Sequence, residues 1–411
     1  MATLLENNTL NLQNVNQTVQ DLFHLNAVSL PYGSQWEQSL FCGSTITKID
    51  NYYITVSGLG IFISTTGTDW QQANNTSTLS FNASGFNIYK HNNIYYLAQY
   101  YGNGVVYSYD LITWYDSKCP VTSIYNLYYF NNTLFCTSNK GVYKYSDTLL
   151  DWVQINSSTS SYMVVCQGDL FILSGSYDLY TSTDNGSTWE VCYTFADYSW
   201  NLTTLNTTLC VGGNGGLYMS ADKGITWNKA YDTEGNQITN SFDATEYEYN
   251  DIISKYIVTL VMPYSSSRFY YTTEDFITLT NISVPQGSIC SNIYIEDNSI
   301  VLYSYQSDDS SSYFLYKWKT QDLNNWSCEM TMSLSSYIND VGLYNNTLFV
   351  AGEKMSGSGS SASKIFYSSD FTKLNIAYTK GASFSSFNAR FHQIDNLFYM
   401  NNSSYIYFID N

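Results

Sequence analysis

The sequence predicts an all-β chain in which four-stranded antiparallel units repeat and close into a ring. Three observations predict it. A self-bonding turn motif recurs at a spacing near 40 residues, alternating strands flank each copy, and the two ends of the chain hold complementary parts of one unit.

The clearest copy runs from Tyr177 to Cys192, where an alternating strand enters Ser182-Thr183-Asp184-Asn185-Gly186 and leaves through Thr188 and Trp189. Ser and Asp side chains fold back onto amides two residues on, and Gly supplies the positive φ of such a turn. The same unit returns at Ser220-Ala221-Asp222-Lys223-Gly224-Ile225-Thr226-Trp227. With the Asp position as anchor, the series along the chain is Thr66, Asp110, Asp147, Asp184, Asp222, Asp275, Asp322 and Asp370. An aromatic or Leu follows each anchor: Trp70, Trp114, Trp152, Trp189, Trp227, Leu279, Trp326 and Leu374. A strand such as Gly60-Ile61-Phe62-Ile63 or Val105-Val106-Tyr107 precedes the turn. Before that strand come two alternating runs joined by an Asn/Asp-rich turn, as in Ile88-Tyr89-Lys90, His91-Asn92-Asn93 and Ile94-Tyr95-Tyr96-Leu97.

Three strands, a self-bonded turn and a fourth strand at this period make the blade of a β-propeller, and no 3.6-residue periodicity within the units supports helical repeats. The tail offers Arg390–Ile394, Leu397–Met400 and Tyr405–Phe408, a blade short of its fourth strand. Gln35-Trp36-Glu37-Gln38 reads as a fourth strand without its first three. The N-terminal strand is therefore expected to complete the last blade, leaving no unpaired edge between the ends. Eight whole units plus one composite give nine blades, with eight as the alternative count. The predicted organisation is an arm over residues 1–33 and a propeller over 34–411. In the arm, Leu5, Leu12, Val15, Val19 and Leu22 share one heptad seam with Asn8 and Asn26, which suits either a self-associating helix or an extended docking arm. Pro31-Tyr32-Gly33 breaks it from the first strand.

A net charge of −18 argues against nucleic acid and anionic membranes as partners. Only 12% of residues are charged, so Asn, Ser, Thr and the 41 Tyr must carry the surface. No apolar run is long enough to span a bilayer, so no membrane insertion is expected. The opening Met1-Ala2-Thr3-Leu4-Leu5-Glu6 lacks the basic and apolar regions of a secretory signal. The eight cysteines show no CxxC or other metal spacing, and Cys136 and Cys210, inside strands, are expected to be buried thiols in a reducing compartment. No metal or cofactor is expected.

The pattern Ser-x-Asp-x-Gly-x-Thr-Trp, carried by Ser182, Asp184, Gly186 and Trp189 and again by Ser220, Asp222, Gly224 and Trp227, resembles the Asp-box, or BNR repeat. The likeness covers nearly the whole chain from about residue 36, with degenerate copies such as Ser64-Thr65-Thr66-Gly67 and Ser108-Tyr109-Asp110-Leu111. It implies a propeller whose box lies on the turn between third and fourth strands, away from the ligand face. The box residues are then structural, and the likeness speaks for fold far more than for function. Trp200 and Trp318 fall outside the box pattern and are candidates for a binding surface.

Enzymes are common in that family. Its sialidases grip a carboxylate with three arginines, whereas this chain has Arg268 and Arg390 alone. Other glycosidases need two carboxylates across the scissile bond. The candidates are Asp243, Glu246 and Glu248, and Asp308 and Asp309, all read as lying in polar insertions between strands. His24, His91 and His392 form no triad or metal pattern. Two readings follow. One is a non-enzymatic virion component, such as a phage fibre, tail or capsid-surface protein, assembled in the host cytoplasm. Its residues 1–33 would engage other virion proteins or copies of itself, and its propeller head a glycan or a host surface receptor. Residues 12–22 look like the openings of phage structural proteins. The other is a carbohydrate-active propeller, glycosidase or lectin. An intracellular scaffold is a third.

Overall fold

The structure, a computed structural model, describes residues 36–38 and most of 46–409. The longest internal stretches outside the description are 80–85, 239–243, 262–267, 308–312, 355–361 and 380–389. The described strands form nine sheets. Eight are built in chain order within residues 47–75, 86–116, 124–156, 160–194, 199–229, 244–281, 288–334 and 337–379. Asn74–Asn75 leaves the first of these spans to pair in parallel with the second blade's outer strand. The ninth sheet joins Arg390–Ile394, Leu397–Asn401 and Ile406–Ile409 to the N-terminal strand Trp36–Gln38, with Trp36 opposite Ile409. The chain is thus an all-β propeller of antiparallel blades, and its N-terminal strand completes the last of them. In the seventh blade the first strand is split into Ser288–Ile289 and Tyr294–Glu296, a break that the alternation from residue 293 onward did not reveal. The predicted arm, residues 1–33, lies outside the described residues.

First strands of neighbouring blades touch, which places them innermost. Their hairpins to the second strands are tight because both turn residues take positive φ: Asn92 and Asn93 at 49° and 61°, Asn131 and Asn132 at 45° and 55°. That is the turn whose twist matches the flanking strands, and Asn tolerates it.

Among the described residues no blade buries its apolar side chains alone. Each of nine apolar clusters takes its residues from two successive blades, for example Phe135 and Val142 of the third with Met163, Leu170 and Ile172 of the fourth. Around the circle the set ends with Ile46, Tyr53, Phe62 and Trp70 of the first blade against Tyr399 of the last. Polar stitches cross the same seams. The Tyr128 hydroxyl accepts the Met163 amide at 2.9 Å, and buried Asp340 accepts the Phe391 amide at 2.7 Å. Cys136 and Cys210 are fully buried free thiols, as expected.

The turn between third and fourth strands has one hydrogen-bond plan. In the fourth blade Ser182 Oγ accepts the Gly186 amide at 2.9 Å, and Asp184 accepts the Thr188 amide and hydroxyl at 2.8 and 2.7 Å. Trp189 Nε1 then donates to the Gly186 carbonyl. The fifth blade repeats this with Ser220, Asp222, Gly224, Thr226 and Trp227. Versions one residue shorter keep the Asp-to-amide bond in the second, sixth and seventh blades, around Asp110, Asp275 and Asp322, and the indole bond in the second and seventh. The glycine position keeps its left-handed backbone even where glycine is gone: φ is 81° at Gly186 and 82° at Gly224, but also 65° at Leu111, 56° at Phe276 and 64° at Leu323.

Geometry explains the exchange. A Cβ on Gly186 would sit 2.9 Å from Ile155 Cδ1 and 3.2 Å from Phe135, so this position points into the seam between blades. Leu111 and Phe276 fill that seam themselves and are buried. A non-glycine residue here costs about 1–2 kcal/mol, whereas truncating a buried leucine costs about 2–5 kcal/mol. Burial wins. Leu111→Gly is therefore expected to destabilise the protein by about 1–3 kcal/mol despite relieving the backbone, as read by denaturant unfolding.

The third blade corrects the sequence register. Its anchor Asp147 stands one residue after Ser146 instead of two, so it does not close the turn. Trp152 Nε1 accordingly donates to Ser117 Oγ and not to a turn carbonyl. The spacing to Trp152 suggested the wrong residue, and Asp147 is free for the contact described below.

Hydrogen bonds from Thr188 and Thr226, side chain first and amide next, hold Asp184 and Asp222 down at about 2. Because these folded-state values lie below the ordinary carboxylate range, the stability they supply is complete above about pH 4 and is lost as pH falls towards 2. The thermal midpoint should drop across that window, and the drop should be smaller in Asp184→Asn/Asp222→Asn. An equal drop in that variant would assign the acid sensitivity elsewhere.

Candidate functional site

Register, not local sequence, assembles the most distinctive surface of the described chain. In the second blade Tyr89, Tyr96, Tyr107 and Tyr115 are direct cross-strand partners, one from each of the four strands. Side chains alternate across a strand, so four residues in register share one face. That face turns to the third blade, where Tyr89, Tyr96 and Tyr107 pack with Leu127, Leu134, Cys136, Tyr143 and Tyr145. The row runs from the innermost strand to the outer rim, and from its second member outward exposure rises. Tyr96 is 3% exposed, Tyr107 is intermediate, Tyr115 is 36% exposed, and Tyr109 beside them on the turn is 62% exposed.

The rings touch in sequence. Tyr96 lies 5.4 Å from Tyr145 and 6.3 Å from Tyr107, and Tyr107 stacks on Tyr115 at 5.4 Å with 30° between planes. Tyr109 stands edge-on to Tyr107 at 5.6 Å. Burial raises the Tyr96 phenol first, and the nearby Tyr145, Asp147 and Tyr109 oxygens raise it further. Tyr107 is raised by burial and then by Tyr109. These phenols therefore stay neutral donors at any physiological pH.

At the inner end His91 is 2% exposed between Tyr129, Tyr145 and Tyr96, with ring centroids at 5.7, 6.3 and 6.4 Å. Its Nε2 donates to Asp147 Oδ1 of the next blade at 2.8 Å; a carboxylate can only accept, which fixes the hydrogen on Nε2. Asn92 donates to the same oxygen at 3.3 Å. The His91 Nδ1 is buried with no hydrogen-bond partner, while half of the Asp147 side chain remains open to solvent. The site thus offers flat aromatic faces, neutral hydroxyl donors and one oriented carboxylate. Its signal in the sequence was the abundance of Tyr at alternating positions, but only the pairing of strands shows that four of them align.

The sequence-derived candidates fare differently. Glu246 and Glu248 do not lie in an insertion; they belong to the strand Ala244–Asn250, opposite Thr259 and Ile257. Their alternation with Tyr247 and Tyr249 is a strand pattern that the surrounding polar residues obscured. Glu248 is exposed, and Tyr247 and Tyr249 rest on Tyr256 at 6.1 and 5.1 Å. Asp243, Asp308 and Asp309 lie outside the described residues. Trp318 is not a surface residue: it is 6% exposed, and its Nε1 donates to Ser304 Oγ at 2.8 Å. Trp200 falls at a register shift in the strand Ser199–Leu205, and its side chain is outside the description. Ser182, Asp184, Gly186 and Trp189, with Ser220, Asp222, Gly224 and Trp227, serve the turns as described above. Among the described residues no group of three or more His, Cys, Asp or Glu could hold a metal ion.

No family model and no curated protein matches the chain. Some solved structures are similar to it at low identity. An extracellular domain from B. thetaiotaomicron is 10% identical with a TM-score of 0.40, the alignment covering 86% of this chain and 68% of that one. The dihydro-heme d1 dehydrogenase NirN is 10% identical with a TM-score of 0.44 and coverages of 85% and 78%. The GH74 enzyme of Niastella koreensis is 14% identical with a TM-score of 0.40 and coverages of 92% and 73%. At these identities and TM-scores the likeness says nothing of what this chain does.

Proposed function

We propose that this protein is a non-enzymatic structural or adhesion component of a virus particle, a propeller head that presents a tyrosine-lined surface to a glycan or a protein. The observation that carries this reading is the cross-strand tyrosine row with its exposed outer end at Tyr109 and Tyr115. Tyrosine gives large amphipathic contact area at low entropic cost, which suits recognition. The repeated Ser-x-Asp turns support membership of the Asp-box propellers, since their bonds are the ones that motif needs. Residues 1–33 would serve as the attachment arm, joining other virion proteins or further copies, with assembly in the host cytoplasm.

The second reading is a carbohydrate-active propeller, glycosidase or lectin. Topology favours it in one respect. Ala244 opens the first strand of the sixth blade and Ser307 closes the second strand of the seventh, so the chain ends that lead to Asp243 and to Asp308 and Asp309 leave the same rim of neighbouring blades. A glycosidase would need two carboxylates across the scissile bond.

The readings separate in one experiment. Full-length protein is expected to adhere to host surfaces without cleaving surface polysaccharide. Substituting Asn or Gln for Asp243, Glu246, Glu248, Asp308 and Asp309 should leave adhesion unchanged. Polysaccharide cleavage by the parent that disappears in these variants would overturn the non-enzymatic reading. Light scattering tests the arm: a defined oligomer should fall to monomer when residues 1–33 are removed, and monomers in both cases would remove self-association.

A further inference from the structure

We infer that Cys119 and Cys136 form a peroxide-sensitive thiol pair, and that their oxidation to a disulfide clamps the linker between the second and third blades onto the second strand of the third.

The contact itself sets these two cysteines apart. The other described thiols turn to backbone carbonyls: Cys166 to Thr207 at 3.2 Å, Cys192 to Leu179 at 3.3 Å, Cys210 to Thr208 at 3.9 Å and Cys328 to Met330 at 3.4 Å. Cys119 and Cys136 face each other instead, with their Sγ atoms 4.0 Å apart. A disulfide bond is about 2.05 Å long, so one sulfur must swing about 2 Å towards the other. Cys136 is the fixed partner. It is fully buried in the strand Thr133–Ser138, paired with Leu127 on one side and Tyr143 on the other. Cys119 is the movable one. It belongs to no strand, lies between Thr113–Asp116 of the second blade and Ile124–Phe130 of the third, and is 9% exposed. The linker is nevertheless held in place on either side of it. The Ser117 amide and hydroxyl donate to the Val105 carbonyl at 3.2 and 2.6 Å, and the Val121 carbonyl packs so closely on Gly104 that a Cβ there would collide with it. These anchors keep Cys119 beside its partner, while its side chain can turn without breaking a strand pairing.

Burial selects the oxidant. A bulky disulfide cannot approach sulfurs this enclosed, whereas hydrogen peroxide is small and neutral. Cys119, the more open thiol, attacks one peroxide oxygen as its thiolate; the O–O bond breaks, a sulfenic acid forms and the departing hydroxide takes a proton to become water. The Cys136 thiolate then attacks Cys119 Sγ. The S–S bond forms, the S–O bond breaks, and the second hydroxide leaves as water. Two thiols are oxidised, one peroxide is reduced, and the two thiol protons end in the two waters. Burial, and then the Cys119 sulfur, pushes the Cys136 thiol well above its ordinary range. Its thiolate is therefore scarce at neutral pH, and the second step should quicken as pH rises. The bridge would close a loop holding the first strand of the third blade and its hairpin. Both cysteines share one apolar cluster with Tyr96, against which Tyr107 and Tyr145 pack, so the clamp stiffens the seam beneath the tyrosine row.

The test uses full-length Cys328→Ser protein, in which the exposed thiol is removed to prevent links between molecules, treated with hydrogen peroxide while folded. Trypsin releases both cysteines in one peptide, residues 119–140. Oxidation should lower its mass by two hydrogens, and dithiothreitol should restore them. Cys119→Ser and Cys136→Ala, each added to this protein, should abolish the change, and in Cys136→Ala dimedone should trap a sulfenic acid at Cys119. Denaturant unfolding should show the folded-to-unfolded ratio rising about a hundredfold on oxidation, the size expected for a loop of this length. A peptide left unchanged by peroxide, a Cys119 carried on to sulfinic acid, or a bridge that appears only after unfolding overturns the thiol pair. A bridge that forms in the folded protein without raising its stability overturns the clamp.

Discussion

No blade of this protein has a core of its own, and the rest of the structure depends on that. Every apolar cluster is shared by two neighbours, so a four-stranded sheet becomes stable only when both of its faces are covered. The constraint sets what each blade must present: apolar or aromatic residues on both faces of its middle strands, as in Gly60–Ser64, which is buried throughout. It also moves polarity to the turns and to the outer strands, where exposed residues alternate with buried ones. Ion pairs such as Lys90–Asp50 and Lys223–Asp169 cross between blades at the surface, where they add little to stability but help to set register.

The turns between third and fourth strands solve a second problem. Each must reverse a chain whose next residue enters a packed seam, and the second, fourth, fifth, sixth and seventh blades do so by turning a Ser or Thr and an Asp onto their own amides. Satisfying those groups internally leaves the left-handed position as the adjustable part. Glycine there lets Ile155 and Phe135 of the preceding blade close in; leucine or phenylalanine reaches into the seam instead. The motif can thus decay in sequence while its hydrogen bonds persist, as Thr66 in the first blade shows by accepting the Asp69 amide in place of a carboxylate.

Much of the fold was legible because strand alternation, turn chemistry and the 40-residue spacing are local signals. The composite blade could be read from Trp36 and Phe408, since a missing strand at one end matches a spare one at the other. Misreadings arose where spacing competed with hydrogen bonding. Asp147 is one residue out of register, and only its contact with His91 shows what it does. Glu246 and Glu248 looked like part of a solvated loop because their neighbours are polar, although Tyr247 and Tyr249 between and after them carry the strand pattern. The tyrosine seam was illegible for a deeper reason: Tyr89, Tyr96, Tyr107 and Tyr115 come from four strands, and nothing in a linear sequence states which residues of different strands will face one another.

The junction of Trp36 with Ile409 fixes the order in which the molecule can mature. Blades in the middle of the chain can form as they leave the ribosome, each nucleated on the one before it, because their strands are contiguous. The composite blade cannot. Its outer strand is synthesised first and must wait, unpaired, for the final strand to emerge. Until then two sheet faces, that of Tyr53 and Phe62 at one end and that of Tyr399 at the other, lack a complete partner. Closure is accordingly a single late event, and its reversal is the natural first step of opening. A pull on the N-terminal segment loads that latch directly, so the mechanical strength of the whole ring is set by one short pair of strands.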